Sequence, residues 1–159
     1  MKQRKSGFSI VELIIIIVVI GILTTIAIVS YNGVQNNAHD TAVQSDLDNI
    51  AGKLEAYRTQ QSNVSQQFPS NAAQLISIGF KVNKDSYDTS VAVNLAYCTD
   101  ATRQQFAIAA ISRSGNIYLM SEDGFRSHAL TKASFTTSIC SSLGLTAVAY
   151  GYSGGAWQI

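Results

Sequence analysis

The sequence predicts an α+β fold in which one long N-terminal α-helix packs on a small antiparallel β-sheet. Three observations support this prediction. An almost unbroken apolar run covers residues 8–29, and apolar residues then recur at helical spacing as far as Tyr57. Short alternating segments separated by turn residues follow after about residue 90. We therefore expect a helix with a membrane half and an amphipathic half, followed by the sheet.

The apolar run is long enough to cross a bilayer. Its 22 residues contain four polar side chains, those of Ser9, Glu12, Thr24 and Thr25. As a helix it would extend about 33 Å, close to the thickness of the hydrocarbon core. Glu12 is the anomaly, because a carboxylate in hydrocarbon is costly and such residues usually mark a function.

Basic residues are distributed unevenly around this run. Lys2, Arg4 and Lys5 precede it, and the next basic residue is Lys53. Because positive charge is retained on the cytoplasmic side, we expect the N-terminus inside the cell and residues beyond about 30 outside.

Three ordinary interpretations of the run remain open. It could be a secretory signal peptide, although the sites after Ala27 and Ser30 are weak cleavage sites. It could be an ordinary membrane anchor in which Glu12 extends back to the interface. A buried helix of a soluble core is the least favoured, because nothing downstream is apolar enough to surround it.

The segment Gly7-Phe8-Ser9-Ile10-Val11-Glu12 lies between a basic leader and the long apolar run. This arrangement resembles the processing motif of type IV prepilins and related proteins. The resemblance implies that a membrane aspartyl peptidase cuts after Gly7 and N-methylates Phe8. It also implies a role for Glu12 in filament assembly, and the ladle or lollipop shape of pilins. It covers about the first thirty residues, and the rest matches only in architecture.

One departure from the family concerns helix bending. Many relatives carry a proline late in the apolar segment, and this segment has none. Gly21 and the pair Thr24-Thr25 are the remaining weak points at which a kink could form.

Glu12 has a chemically suitable partner in the processed chain. Cleavage would create an α-amine at Phe8, and a buried cation and a buried anion stabilise each other. The amine could belong to the same chain or to a neighbouring subunit, where pairing would set the axial register. The resemblance implies the neighbouring subunit.

Length and composition indicate one domain and an anchor. We expect a cleaved leader at residues 1–7 and a membrane or assembly half of the helix at 8–30. The amphipathic half follows at 31–60, and a globular sheet region at 61–159. The chain has 11 basic and 10 acidic residues, and loss of the leader would leave eight basic and ten acidic. This balance is unlike a basic nucleic-acid-binding surface.

Two cysteines, Cys98 and Cys140, lie in the part expected outside the cell. An even count in an exported domain suggests a disulfide, and two free buried thiols are the alternative.

The amphipathic half is indicated by a single apolar stripe. Val43, Leu47, Ile50, Leu54 and Tyr57 recur at spacings of four and three residues, and we expect them to cover the sheet. The charged residues of this region fall mostly off the stripe: Asp40, Asp46, Asp48, Lys53, Glu55 and Arg58.

The remaining elements follow from turn signals. Residues 61–68 read as a polar loop, and Ser70 is the expected N-cap of a short helix that ends at Gly79. Strands are expected at 91–98, at 105–111 and 117–120 as a hairpin around the turn at 113–116, and at 145–150 as an edge strand, with another turn at 122–124. Residues 131–144 are ambiguous between a short helix and a loop.

Catalytic and metal-binding patterns are weak. His39 and His128 share no metal-ligand spacing with a cysteine or with each other. The acidic groups Asp85, Asp88 and Asp100, or Glu122 and Asp123, lack the spacing of a calcium loop. Asn63-Val64-Ser65 is a lone glycosylation sequon. We expect no cofactor and no enzymatic activity.

The sequence therefore favours a structural subunit of a type IV pilus-like surface filament. The alternatives are a pseudopilin of a type II secretion-like system and a non-polymerising, membrane-anchored binding module. Expected partners are further copies of the chain, the prepilin peptidase and methylase, the assembly machinery, and membrane lipid before assembly. No specific nucleic acid is expected. Before assembly the chain would cross the cytoplasmic membrane once, and after assembly it would lie in an extracellular filament.

Overall fold

Helix α1 runs from Ile10 to Gln60 without interruption, over 51 residues. The structure is a computed structural model, and it describes residues 7–60, 66–91, 93–127, 132, 135, 139–150, 152–153 and 156–157. The chain divides into two compact units, one up to Gln35 and one from Asn36 onward. The predicted α+β class, with one long helix followed by an antiparallel sheet, is confirmed.

The first half of α1 remains helical at both expected weak points. The hydroxyl groups of Thr24 and Thr25 donate to the carbonyl oxygens of Ile20 and Ile22, each at 2.7 Å. These bonds satisfy the two hydroxyls within the helix, which is how threonine is accommodated in an apolar helix.

The second half of α1 buries the predicted stripe. Val43, Leu47, Ile50 and Leu54 are at most 1% exposed, whereas Tyr57 is half-buried. The four buried residues belong to one apolar cluster that also contains residues of a short helix, α2 (Ala72–Ile78), and of three strands. The expectation that this half of the helix covers the sheet is confirmed.

The main sheet has five antiparallel strands in the order β4-β3-β2-β1-β5. They are β1 (Leu95–Thr99), β2 (Phe106–Ile111), β3 (Ile117–Ser121), β4 (Gly124–Ser127) and β5 (Thr146–Tyr150). The predicted hairpin of β2 and β3 and the predicted edge strand β5 are both present. Strand β4, which pairs with β3 across the expected turn, was not predicted.

Strand β1 begins four residues later than the alternation of residues 91–98 predicts. Its first paired residue is Leu95, opposite Ala110 of β2. Beyond that point the end of β2 is bonded by another segment, because the Asp88 amide donates to the Ile111 carbonyl at 3.0 Å and Tyr87 forms a bridge with Ser112. Tertiary competition for the partner strand therefore shortens β1.

Both faces of the sheet are buried. The face that carries Leu95, Tyr97 and Ile108 packs on α1. The opposite face carries Ala96, Cys98 and Leu119, and it packs against Phe135 and helix α3 (Ile139–Ser142). The disulfide Cys98–Cys140 lies within this second cluster, so the open choice between a bridge and free thiols is settled in favour of the bridge.

Helix α2 (Ala72–Ile78) begins one residue away from the expected cap. Asn71, not Ser70, is the N-cap, because its side-chain oxygen accepts from the Gln74 amide at 2.9 Å. Ser70 instead donates its amide to the Gln74 side chain at 2.7 Å. The C-terminal end is as predicted, since Gly79 adopts the left-handed conformation with φ of 70° that glycine permits.

The other described elements are a 3₁₀ turn at Lys84–Ser86 and a two-stranded ribbon of β6 (Tyr152–Ser153) and β7 (Ala156–Trp157). Of the ambiguous stretch 131–144, the structure describes residues 132, 135 and 139–144, and α3 lies there. His128 and the sequon at Asn63 lie outside the described residues.

Candidate functional site

The start of α1 places the predicted processing motif at a helix boundary. Gly7, Phe8 and Ser9 have no regular secondary structure, and helical conformation begins at Ile10. Phe8 is 84% exposed. The peptide bond between Gly7 and Phe8 therefore lies two residues outside the helix, with a backbone that is not engaged in helical hydrogen bonds.

The described residues leave space around Gly7. Among them, a Cβ atom added at Gly7 would meet nothing within 4 Å, and the residue does not adopt a positive φ. The described part of the chain therefore shows no steric reason for glycine at this position.

Glu12 caps its own helix. Its Oε2 accepts from the backbone amide of Ser9 at 2.8 Å, and the Ser9 hydroxyl oxygen accepts from the Val11 amide at 3.3 Å. The Leu13 amide bonds to the Ser9 carbonyl at 3.2 Å, which makes Ser9 the N-cap. These bonds satisfy amides that a helix start leaves without partners, and the carboxylate also lies at the positive end of the helix dipole.

The apolar half of α1 presents its side chains to the outside. Each large apolar residue between Phe8 and Ile28 is between 44% and 84% exposed. Among the described residues, α1 is the one helix that is long and apolar enough to cross a membrane. Such a surface requires lipid or other apolar helices around it, since large exposed apolar areas mark membrane or protein contacts.

Comparison with known proteins identifies this region. Residues 2–28 match the family model described as the prokaryotic N-terminal methylation motif. The type IV wide pilus major component PilA4 of Thermus thermophilus is 33% identical over 79 residues. The type II secretion system core protein G of Klebsiella pneumoniae is 32% identical over 60 residues. The chain therefore carries an N-terminal methylation motif and is similar in part to a pilus component and to a secretion-system protein.

The similarity is concentrated in part of each protein. The alignment with the pilus component covers 50% of this chain and 57% of that relative, and the alignment with the secretion protein covers 38% of this chain and 43% of that relative. The chain thus spans about half the length of the curated relatives it matches. No solved structure matches it.

Two aspartates join α1 to the sheet region, and neither role was predicted from the sequence. Asp40 is only 8% exposed, and it accepts from the Ser114 hydroxyl and from the Asn116 side-chain amide, the latter at 2.8 Å. Asp46 accepts from the Asn83 amide at 2.8 Å and from the Tyr87 hydroxyl at 3.2 Å. The helix is therefore anchored by hydrogen bonds as well as by its apolar stripe.

The ionisation of Asp40 reflects these contacts. Burial opposes the charged form, but hydrogen bonds from Ser112, Ser114, Asn116 and Tyr118 outweigh it and hold the pKa of Asp40 below its ordinary value. The nearest sequence signal was that Asp40 falls off the apolar stripe, which by itself indicates exposure.

Asp88 and Asp100 have hydrogen-bonding partners in the part of the chain that the structure describes. Asp88 pairs with Lys132 and accepts from Ser90. Asp100 accepts from three amides of the following turn, those of Thr102, Gln104 and Gln105, at 2.7–3.0 Å. No group of three or more metal-ligating side chains occurs among the described residues.

A cavity of about 180 Å³ lies beside the second face of the sheet. Its lining includes Phe106, Leu119, Leu143 and Leu145, with Glu122 among the polar groups. It contains no histidine, cysteine or lysine, so its described lining offers no nucleophile or general base beyond carboxylates and a serine hydroxyl.

Proposed function

We propose that this chain is a structural subunit of a type IV pilus-like surface filament. It is made as a prepilin, cut after Gly7, N-methylated at Phe8 and polymerised through its N-terminal helix. The observation that carries the proposal is the exposed apolar surface of residues 8–28, which contains one carboxylate and lies within the match to the methylation motif. The described chain offers no catalytic arrangement, so we propose a structural rather than an enzymatic role.

The apolar surface requires two successive environments. Before assembly, membrane lipid covers it, with the basic leader on the cytoplasmic side. After cleavage and extraction from the membrane, the corresponding helices of other copies replace the lipid. This exchange keeps the apolar side chains out of water throughout, and it requires a membrane peptidase, a methylase and an assembly machinery as partners.

Glu12 would determine how neighbouring helices align along their axes when they replace the lipid. An apolar helix can slide along its neighbours at little cost, whereas an unpaired buried charge costs about 3–5 kcal/mol. Pairing of the Glu12 carboxylate with the Phe8 amine of the next subunit would therefore select one axial register.

Replacement of the carboxylate tests the proposal. Glu12→Gln should insert into the membrane normally, because it removes a charge from hydrocarbon. It should assemble poorly, because the Phe8 amine then loses its ionic partner. Glu12→Val should be more severely impaired. The measurement compares the membrane pool with the sheared filament fraction, and N-terminal sequencing of both fractions shows whether the chain begins at a methylated Phe8.

Thr25→Val is a matched control, because it changes a polar group on the same exposed half of α1 without altering charge. It should assemble like the wild type. Normal filaments from Glu12→Gln would refute the register mechanism. A chain that keeps its leader and never leaves the membrane fraction would instead indicate a membrane-anchored binding module.

The similarity to a type II secretion protein favours a second candidate, a pseudopilin of a secretion system. Deletion of the gene distinguishes the two. A pseudopilin is required for the export of other proteins to the medium, whereas a pilus subunit is required for surface filaments.

A further inference from the structure

The first turn of α1 contains two side chain to backbone hydrogen bonds. Ser9 and Glu12 are separated by three residues, which is the spacing of a capping box. Glu12 Oε2 accepts from the Ser9 amide at 2.8 Å, while the Ser9 hydroxyl accepts from the Val11 amide at 3.3 Å. The Ser9 amide therefore restrains the Glu12 side chain, and the Ser9 hydroxyl caps the helix at Val11.

These bonds do not depend on the leader. The donor is the amide of the peptide between Phe8 and Ser9, and the acceptor belongs to Glu12, so every atom involved remains after a cut between Gly7 and Phe8. The capping box can therefore be present in the processed subunit, where Glu12 would act.

Among the described residues, one of the two Glu12 carboxylate oxygens has a hydrogen-bond partner. Oε2 is bound to the Ser9 amide, and Oε1 has no partner among the described residues. A carboxylate has two oxygens and about four acceptor positions, so the bond to Ser9 leaves capacity for a cationic donor. Glu12 is exposed, which allows a donor from another molecule to reach it.

We propose that the Ser9–Glu12 capping box presets the Glu12 carboxylate for assembly, and that Ser9 is a positioning residue. This inference rests on the proposed function. One oxygen is held by the subunit's own backbone, and the other is presented to the Phe8 amine of a second copy of this chain. The carboxylate is already immobilised before the neighbour arrives, so less conformational entropy is lost when the pair forms.

Ser9 influences the Glu12 side chain indirectly, because it fixes the residue at which the helix begins. An N-cap residue keeps a non-helical backbone, and this directs its amide toward the side chain three residues later. Alanine at position 9 lacks the hydroxyl that holds this conformation, so the helix can fray or begin elsewhere. The amide then no longer restrains Glu12, although the carboxylate itself is unchanged.

The capping box is tested directly by amide exchange at Ser9, measured by NMR on the purified, processed full chain in detergent micelles. The Ser9 amide should be protected in the wild type and in Glu12→Gln, because glutamine also supplies an acceptor oxygen. It should exchange several-fold faster in Glu12→Ala. Equal exchange in the wild type and Glu12→Ala would overturn the proposal.

The positioning role is tested by assembly of position-9 variants. Ser9→Ala should be cleaved normally but should reduce the sheared filament fraction several-fold, and Ser9→Thr, which keeps the hydroxyl, should restore it. In Ser9→Ala, NMR couplings of Glu12 should show averaging over rotamers where the wild type shows one. Wild-type assembly by Ser9→Ala, or no rescue by Ser9→Thr, would refute the role of Ser9.

These outcomes are separable from failure of the proposed function. If the wild type forms no filaments under any condition, the proposed function fails. The amide exchange of Ser9 would still report whether the capping box exists.

Discussion

Removal of the disulfide should destabilise the sheet region strongly. The bridge joins Cys98 of β1 to Cys140 of α3, over a sequence separation of 42 residues. In the chain-entropy model, closing a loop of this length restricts the unfolded chain by about 4 kcal/mol at 25 °C. The double variant Cys98→Ala with Cys140→Ala should therefore lose about 4 kcal/mol of unfolding free energy.

The loss can be expressed as a melting temperature. The unit from Asn36 to the end of the chain unfolds with an entropy of about 2.1 cal/mol/K per residue, so each kcal/mol corresponds to about 4 °C. We expect the double variant to melt about 15 °C below the wild type. Near-UV circular dichroism of the full chain in detergent follows this transition through the buried aromatic side chains.

A reductant provides the internal control. It should lower the melting temperature of the wild type to near that of the double variant, and it should leave the variant unchanged. Alanine keeps both positions apolar within the buried cluster, so no buried polar group is introduced. A difference below about 1 kcal/mol would refute this reasoning, as would two reactive thiols per chain in denatured wild type that had not been reduced.

Three further predictions concern the packing of α1 and the processing site. Leu47→Ala removes a fully buried side chain of the apolar cluster and should cost about 2–5 kcal/mol in denaturant unfolding, whereas the exposed Asn49→Ala should remain within about 0.5 kcal/mol. Asp40→Ala removes the charged acceptor of the Ser114 hydroxyl and the Asn116 side-chain amide, and it should cost about 1–3 kcal/mol at pH 7. Because the folded-state pKa of Asp40 is lowered, its stabilisation is present above the unfolded pKa near 4 and is lost as the pH falls through the folded value. Urea curves of the wild type and Asp40→Ala should therefore converge in acid, and a constant difference would contradict the assignment. Gly7→Arg should retain the leader in immunoblots and form no filaments, and recovery of chains beginning at Phe8 would contradict this expectation.

Features that depend on neighbours along the chain could be predicted from the sequence. The long helix follows from the apolar run and from the stripe that begins at Val43, because helical spacing is a local property. The hairpin of β2 and β3 follows from two alternating segments around a glycine turn. The methylation motif is also local, since it depends on residue types at fixed separations near Gly7.

Features that depend on partners distant in sequence were decided only by the tertiary structure. From the sequence alone, Asp40 is expected on the surface, yet its hydrogen-bond partners lie 74 and 76 residues away. The first residue of β1 is set by competition with Tyr87 and Asp88 for the end of β2. The alternation of residues 91–98 does not indicate this competition.

The candidate site likewise has features that the sequence predicts and features that only the tertiary structure decides. The sequence by itself determined that Glu12 is a single carboxylate in an apolar run after a basic N-terminal segment. Only the three-dimensional structure showed that one of its oxygens is bound to Ser9 while the other has no partner among the described residues. The reason is physical, because residue spacing decides which groups can meet, whereas the backbone conformation at the helix start decides which of them form a hydrogen bond.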